Sequence, residues 1–359
     1  MTTASLTLLA PAKINLSLRI VDKREDGYHE IETLMAPLAL ADEIELCHAH
    51  GAAPGSVTLT CSDPTLPTDA DNLCVKAAHL FQTKLGIQEA VLISLLKKIP
   101  HGAGLGGGSS DAAAVLRGMN TLFDEPFVFE ELHQLATLLG SDVSFFLAQI
   151  FHASHSEAME KANGTRKEMD SDRGCMSTYC SDQNSSLTQY PSALAKPQTE
   201  GHEISGLNSK PAWCRGRGEL LSEASPLPAW KLLLIKPPFG VASAEAYSRL
   251  KRMEDQKGVR TSQFINEVMN CRTDPFLLDG ISIFNDLEAP VFEKYLQLPI
   301  LKSWLQARPE VAAAWMTGSG STMVAALKKK ISTEETALLK KEIATEFGAT
   351  FWIKETNFA

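Results

Sequence analysis

Pro100-His-Gly-Ala-Gly-Leu-Gly-Gly-Gly-Ser-Ser-Asp-Ala-Ala-Ala114 is the stretch on which the reading of this chain turns. Five glycines in the seven residues from Gly102 to Gly108 let the backbone take positive φ and come close to a ligand. Ser109, Ser110 and the Ala-rich run behind them predict a helix over Ser109–Asn120, whose first turn offers free N–H groups and the positive end of its dipole. Such a construction binds anions and suits phosphate. Gly102-Ala-Gly104-Leu-Gly106-Gly107 satisfies G-x-G-x-x-G, yet no acidic residue ends a second strand about 20 residues further on, as dinucleotide binding requires. No Lys follows the glycines, so the Walker A pattern fails as well. The loop is a phosphate cradle of a third kind.

On either side of the loop the periodicity alternates between two and 3.6. Ile14, Leu16, Leu18 and Ile20 alternate with Lys13, Asn15, Ser17 and Arg19, which predicts a strand buried on one face with Lys13 and Asn15 together on the other. Short strands are expected at Glu43–Cys47 and Val57–Cys61, and a buried one at Val91–Leu96. Helical spacing from Leu73 to Leu85 predicts a helix capped by Asp71 and ended by Gly86, and another helix is expected over Phe129–Leu139. Beyond Trp213, strands are expected at Lys231–Lys236, Ala312–Thr317, Thr322–Leu327 and Thr350–Lys354, and helices at Ala242–Leu250, Val291–Leu305 and Thr333–Phe347. Strands first, then a mixture of strand and helix, indicate an α+β or α/β chain.

Between His152 and Lys210 the pattern breaks. These 59 residues hold 10 Ser and only Leu187, Leu194, Ile204 and Leu207 from the group Leu, Ile, Val and Phe, too few to build a core. The expected organisation is therefore 1–151, a polar disordered insertion over 152–210, and 211–359. The insertion's His152, His155, Cys175, Cys180 and His202 match no zinc-site spacing.

Composition limits the function. The 359 residues are 44% hydrophobic and 21% charged, a globular balance with length for about two domains. Lys+Arg 34 against Asp+Glu 43 leaves a net charge of −9, which excludes a general nucleic-acid binder. The longest uncharged stretch, Val311–Leu327, is broken by Thr317-Gly-Ser-Gly-Ser-Thr322 and falls short of the roughly 20 apolar residues of a membrane helix. Met1-Thr-Thr-Ala-Ser5 lacks the basic start of a secretory signal, and seven scattered cysteines read as reduced thiols, so a cytoplasmic protein is expected.

The pattern Pro-x-x-x-Gly-Leu-Gly-Gly-Gly-Ser-Ser-Asp-Ala resembles the ATP loop of the GHMP small-molecule kinases. Four more blocks resemble one family among them, the 4-diphosphocytidyl-2-C-methyl-D-erythritol kinases: Ala10-Pro-Ala-Lys-Ile-Asn-Leu16, Arg24-Glu-Asp-Gly-Tyr-His-Glu-Ile-Glu-Thr33, Gly140-Ser-Asp-Val-Ser-Phe-Phe146 and Met316-Thr-Gly-Ser-Gly-Ser-Thr322. The resemblance implies a two-domain α+β fold, with an N-terminal domain like the second domain of ribosomal protein S5 and a ferredoxin-like C-terminal domain. It implies a small-molecule substrate phosphorylated on its 2-hydroxyl, ATP as co-substrate and Mg²⁺ as cation, whose ligands it does not assign. It sets no oligomeric state.

By the same resemblance Lys13 and Asp142 form the catalytic pair. The chemistry agrees, since a carboxylate can accept the hydroxyl proton while a cation steadies the developing charge. ATP is expected on Pro100, His101, Gly102, Ala103, Gly104, Leu105, Gly106, Gly107, Gly108, Ser109 and Ser110, with Asn72 and Lys97 near the adenine. Substrate is expected on Asn15, Tyr28, His29, Ser243 and Tyr247, with Tyr28 stacking on a cytosine and His29 hydrogen-bonding its edge. Arg215-Gly-Arg217-Gly-Glu219 resembles a further family block, displaced here so that Phe146 and Gly216 are 70 positions apart. The rival readings are another GHMP kinase, of homoserine or mevalonate type, and a non-catalytic nucleotide-binding protein.

Overall fold

The computed structural model describes residues 5–150, 210–255 and 274–359. The expected disorder of 152–210 falls, Lys210 apart, outside them. Two long strands, β1 (Ser5–Lys23) and β2 (His29–His48), pair antiparallel as the spine of the first sheet. Its order is β3-β4-β2-β1-β9-β8, with β3 at Val57–Cys61, β4 at Val91–Leu96, β8 at Phe276–Leu278 and β9 at Ile281–Asn285. A second pair, β5 (Ala212–Gly216) and β6 (Leu220–Glu223), joins β2 at Ile31–Met35, upstream of the stretch that β4 takes. The second sheet runs β10-β11-β7-β12, built from Val311–Met316, Met323–Leu327, Leu232–Lys236 and Trp352–Thr356.

Helices α1 (Leu73–Leu85), α2 (Gly107–Leu122), α3 (Phe129–Leu139) and α4 (helical over 141–150) cover one face of the first sheet, around Leu8, Ile44, Phe81, Leu116 and Phe146. Helices α5 (Ser243–Asp255), α6 (Glu288–Lys294), α7 (Gln297–Gln306) and α8 (Thr333–Phe347) accompany the second sheet. Its other side contributes Trp315 and Val324 to a core shared with Ile14, Leu16 and Leu38 of the first sheet, and with Ala103 and Leu105 of the glycine loop. Burying these two loop side chains fixes its backbone between the sheets.

Four expectations are corrected. First, β1 is buried on both faces from Ala10 to Leu18. Leu6, Leu8 and Ala10 lie in the helix-side core, whereas Ala12, Ile14 and Leu16 lie in the core between the sheets. The change coincides with a register irregularity between Pro11 and Lys13, which re-aims the strand as a bulge does. Second, Asn72 rather than Asp71 caps α1, its Oδ1 accepting from Cys74 N at 2.9 Å. Third, Val291–Leu305 is two helices, because the chain leaves α6 at Tyr295 and re-enters helix after Leu296. Fourth, β4 alternates buried and exposed residues instead of being buried throughout, since its second face meets solvent.

Beneath the glycine loop is a buried ionic cluster. Lys97 Nζ bonds Asp42 Oδ2, and Asp111 Oδ2 at 2.7 Å. Asp42 also accepts the backbone N–H of Lys98 and, at 2.8 Å, of Ile99, so β2, the loop entry and the first turn of α2 are tied together. Burial, reinforced by the charge of Asp42 against the pull of Lys97, pushes the Asp111 carboxyl up to about 7.

Two outcomes follow from this packing. A Cβ at Gly118, inside α2, would collide with Leu46 and stand 2.8 Å from Leu8 Cδ1. Gly118→Ala is therefore expected to destabilise by about 1–3 kcal/mol in urea unfolding, despite the usual gain for Ala in a helix. A stabilised variant would show that the contact yields. Asp111, protonated in the folded chain up to about pH 7 but only to about 4 when unfolded, makes the native state the stronger proton binder in between. Wild-type stability should therefore fall, relative to Asp111→Asn, as pH rises from about 4 to about 7. A difference between the two that is independent of pH would contradict the assignment.

Candidate active site

β1 brings Lys13 to the helix side of its sheet, where α4 begins with Ser141 and Asp142. Lys13 Nζ lies 3.6 Å from Asp142 Oδ2, with the lysine side chain 5% exposed and the carboxylate 33%. Lys13 Nζ also donates to Asn15 Oδ1 at 2.7 Å, and Asn15 Nδ2 donates to Thr33 Oγ1 at 2.8 Å. Thr33 Oγ1 in turn donates to Ser17 O at 2.6 Å. Both ends of the Asn15 amide are thus held by protein, and the residue orients the ammonium. Sequence reading paired Lys13 with Asp142 across 129 positions only through family likeness; Thr33 went unnoticed because no local pattern marks it.

The glycine loop wraps the same ammonium. Lys13 N donates to Leu105 O at 3.0 Å. A Cβ at Gly106, where φ is +73°, would sit 2.8 Å from the Phe146 ring and 3.1 Å from Lys13 Cγ; at Gly104, also +73°, it would run into Thr317 O. These two glycines are what allow the loop to pass between α4 and the Thr317–Thr322 turn. At the head of α2, the side-chain oxygens Ser110 Oγ and Asp111 Oδ1 are buried without a hydrogen-bond partner. Every expected site residue except Ser110 lines a single cavity of about 1040 Å³. Besides Asn15, two more of them spend their polar groups on protein: Lys97 on its two carboxylates, and Asn72 on capping α1 and on Pro67 O.

At the other end of the cavity Tyr28 is 56% exposed, with the Arg217 guanidinium 5.0 Å over its ring. His29 stacks on Tyr247 at 5.2 Å and 22°, and His29 Nε2 is buried without a partner. Burial pushes the Tyr247 phenol upward, so it stays a neutral donor. Ser243 Oγ meets Ser319 Oγ at 3.1 Å, joining α5 to the Gly/Ser turn. The Gly216–Glu219 turn returns against Ser141, since a Cβ at Gly218 would be 3.2 Å from Ser141 Cβ. The block that lies 70 positions away in sequence is therefore next to Asp142 in space. Sequence reading placed Arg217 in a displaced family block without a role; its guanidinium over Tyr28 and its place in the cavity lining make it a wall of the site.

Residues 72–149 match the family described as GHMP kinases N terminal domain. A 4-diphosphocytidyl-2-C-methyl-D-erythritol kinase from Methylacidiphilum infernorum is 35% identical over 322 residues, 89% of this chain and 86% of the relative. Among solved structures, a 4-(cytidine 5'-diphospho)-2C-methyl-D-erythritol kinase superposes with a TM-score of 0.60 at 25% identity, covering 99% of this chain and 100% of that one. A homoserine kinase from Cytophaga hutchinsonii gives 0.51 at 16%, covering 100% of this chain and 96% of that one, a likeness of fold alone. With identity of this extent over nearly the full length of both sequences, the chain belongs to the 4-diphosphocytidyl-2-C-methyl-D-erythritol kinase family.

Proposed function

We propose that this chain transfers the γ-phosphoryl group of ATP to the 2-hydroxyl of 4-diphosphocytidyl-2-C-methyl-D-erythritol, a step of the non-mevalonate route to isoprenoid precursors, with Asp142 as proton acceptor and Lys13 as the electrostatic stabiliser. The observation that carries the residue assignment is the 3.6 Å separation of Lys13 and Asp142 in a cavity with the glycine loop at one end and Tyr28 and His29 at the other.

In this reading the alcohol lies between Asp142 and the γ-phosphate. Asp142 takes the hydroxyl proton as the oxygen attacks phosphorus, ADP leaves, and Lys13 steadies charge on the transferring group. The loop backbone and the start of α2 hold the nucleotide phosphates. Tyr28 offers a ring to the cytosine and the unpartnered His29 Nε2 reads its edge. Ser243 and Tyr247, the latter stacked on His29, complete that end of the cavity.

A divalent cation, whose charge would favour the ionised carboxylate, fits Asp111 Oδ1, a hard donor at the head of α2 that is buried without a partner in a residue lining the cavity. Among the described residues no group of three or more His, Cys, Asp and Glu gathers. That suits Mg²⁺, which takes one or two protein ligands and fills its shell with phosphate oxygens and water, where it neutralises phosphate charge. The division into 1–151, 152–210 and 211–359 belongs to the same proposal and is supported by β5 and β6, which return from beyond the insertion to β2. Among the described residues no helix is long and apolar enough to cross a membrane. A cytoplasmic setting is supported by the free Cys47, Cys61, Cys74 and Cys214, and independence of nucleic acid by the net charge of −9.

ADP release should be seen with the cytidylyl substrate and stay at background with homoserine or mevalonate; release with either of those instead would overturn the substrate assignment. Asp142→Asn is expected to lower kcat by about 10²–10⁴-fold with ATP affinity nearly intact. Turnover within about threefold of wild type would remove Asp142 from the chemistry. Tyr28→Ala should weaken the cytidylyl substrate by about 1–3 kcal/mol through lost stacking and leave the KM for ATP unchanged. The opposite pattern would mean that the two nucleotide ends are exchanged.

A further inference from the structure

Along β1, the edge facing away from β2 has, among the described residues, no partner strand at Lys13. β9 reaches it only at Ser17 and Leu18. Upstream of that, Lys13 N donates to Leu105 O of the glycine loop. Between the two lies Asn15, whose backbone groups are both bonded by side chains from the end of β10: its N–H donates to Thr317 Oγ1 at 2.9 Å and its C=O accepts from Trp315 Nε1 at 2.9 Å. Thr317 Oγ1 is also 3.5 Å from Asn15 Oδ1, the atom that receives the Lys13 ammonium.

The hydroxyl is itself held rigidly. Thr317 is fully buried, its N–H donates to Thr322 O at 3.1 Å and its C=O accepts from Gly320 N at 3.0 Å. From below, Asn285 Nδ2 donates to Met316 O and to Gly318 O, both at 2.8 Å, while Glu288 Oε1 accepts Met316 N at 2.8 Å. Glu288 is braced in turn by the buried Lys302, at 2.6 Å from its Oε2. Residues on both flanks of Thr317 are thus pinned, which makes it a fixed post rather than a loop side chain.

We propose that Thr317 is a positioning residue for phosphoryl transfer: its hydroxyl fixes Asn15 from the second sheet, and Asn15 in turn holds the Lys13 ammonium beside Asp142. The inference rests on the reading that Lys13 and Asp142 carry the transfer. Replacing the hydroxyl by a methyl group leaves the buried Asn15 N–H without an acceptor, and the strain is relieved by a shift of β1 at the catalytic lysine. Displacements of about an ångström in a reacting constellation cost on the order of 10²-fold in rate.

Thr317→Val, which keeps the shape, is expected to lower kcat about 10–100-fold while the KM values for ATP and for the cytidylyl substrate stay within about threefold. Thr317→Ser, which keeps the acceptor, should recover kcat to within about threefold of wild type. ATP should raise the melting temperature of Thr317→Val as it does for wild type. If Val does not fold at this site, Thr317→Ala removes the acceptor without adding volume and carries the same expectation. The proposal is overturned if kcat of the folded Val or Ala variant stays within threefold of wild type, if Ser is as impaired as Val, or if the KM for ATP rises in step with the loss of kcat. Lys13→Ala measured alongside separates the two levels. Turnover retained in Lys13→Ala would refute the underlying reading, whereas turnover lost there and kept in Thr317→Val would refute the role of Thr317 alone.

Discussion

A β-strand leaves alternate N–H and C=O groups pointing sideways, and buried ones must find partners. In β1 this requirement falls on Lys13 and Asn15, both nearly inaccessible to water, at a place where no strand among the described residues pairs with that edge. The partners come from three places: the glycine loop through Leu105 O, the Gly/Ser turn through Thr317 Oγ1, and β10 through the Trp315 indole. Satisfying one strand edge therefore joins the glycine loop, the second sheet and Lys13. The cavity lies where these elements meet.

The same economy appears in how charge is arranged. Lys13 is solvated by Asn15 and Asp142 rather than water, and Lys97 is shared between Asp42 and Asp111. Each buried cation thus has specified partners, as burial demands. At the glycine loop and the start of α2, oriented backbone N–H groups supply partial positive charge whose direction does not depend on the protonation of a side chain.

Local signals in the sequence were read well. Phe129–Leu139 and Thr333–Phe347 are helices with the expected limits, because capping residues and 3.6-residue periodicity are contained in the segment itself. The positive φ of Gly102, Gly104 and Gly106 was legible in the glycine run for the same reason. What escaped was set at a distance. The change of core along β1 depends on pairing with β2 and cannot be seen in alternation alone. The roles of Asn285 and Thr317 depend on a backbone about 300 positions away or on a turn 31 to 33 positions on. Asn72 and Asp71 are equally plausible caps until the backbone decides which side chain faces Cys74. Even Lys13 with Asp142 was found by likeness to a family, since neither residue type is informative alone.

The glycine loop also meets the second half of the chain directly, with Gly102 O accepting Val241 N and Ala103 O accepting Thr322 N. Val241 precedes α5, which carries Tyr247, and the Thr317–Thr322 turn reaches Ser243 through Ser319. A shift of the loop would therefore reach, through these hydrogen bonds, the part of the cavity lined by Ser243 and Tyr247. A ligand that moved one end would change the free energy of filling the other, and linkage would make that change equal in both directions. The two ends of the cavity are thereby joined through hydrogen bonds of the backbone that lies between them.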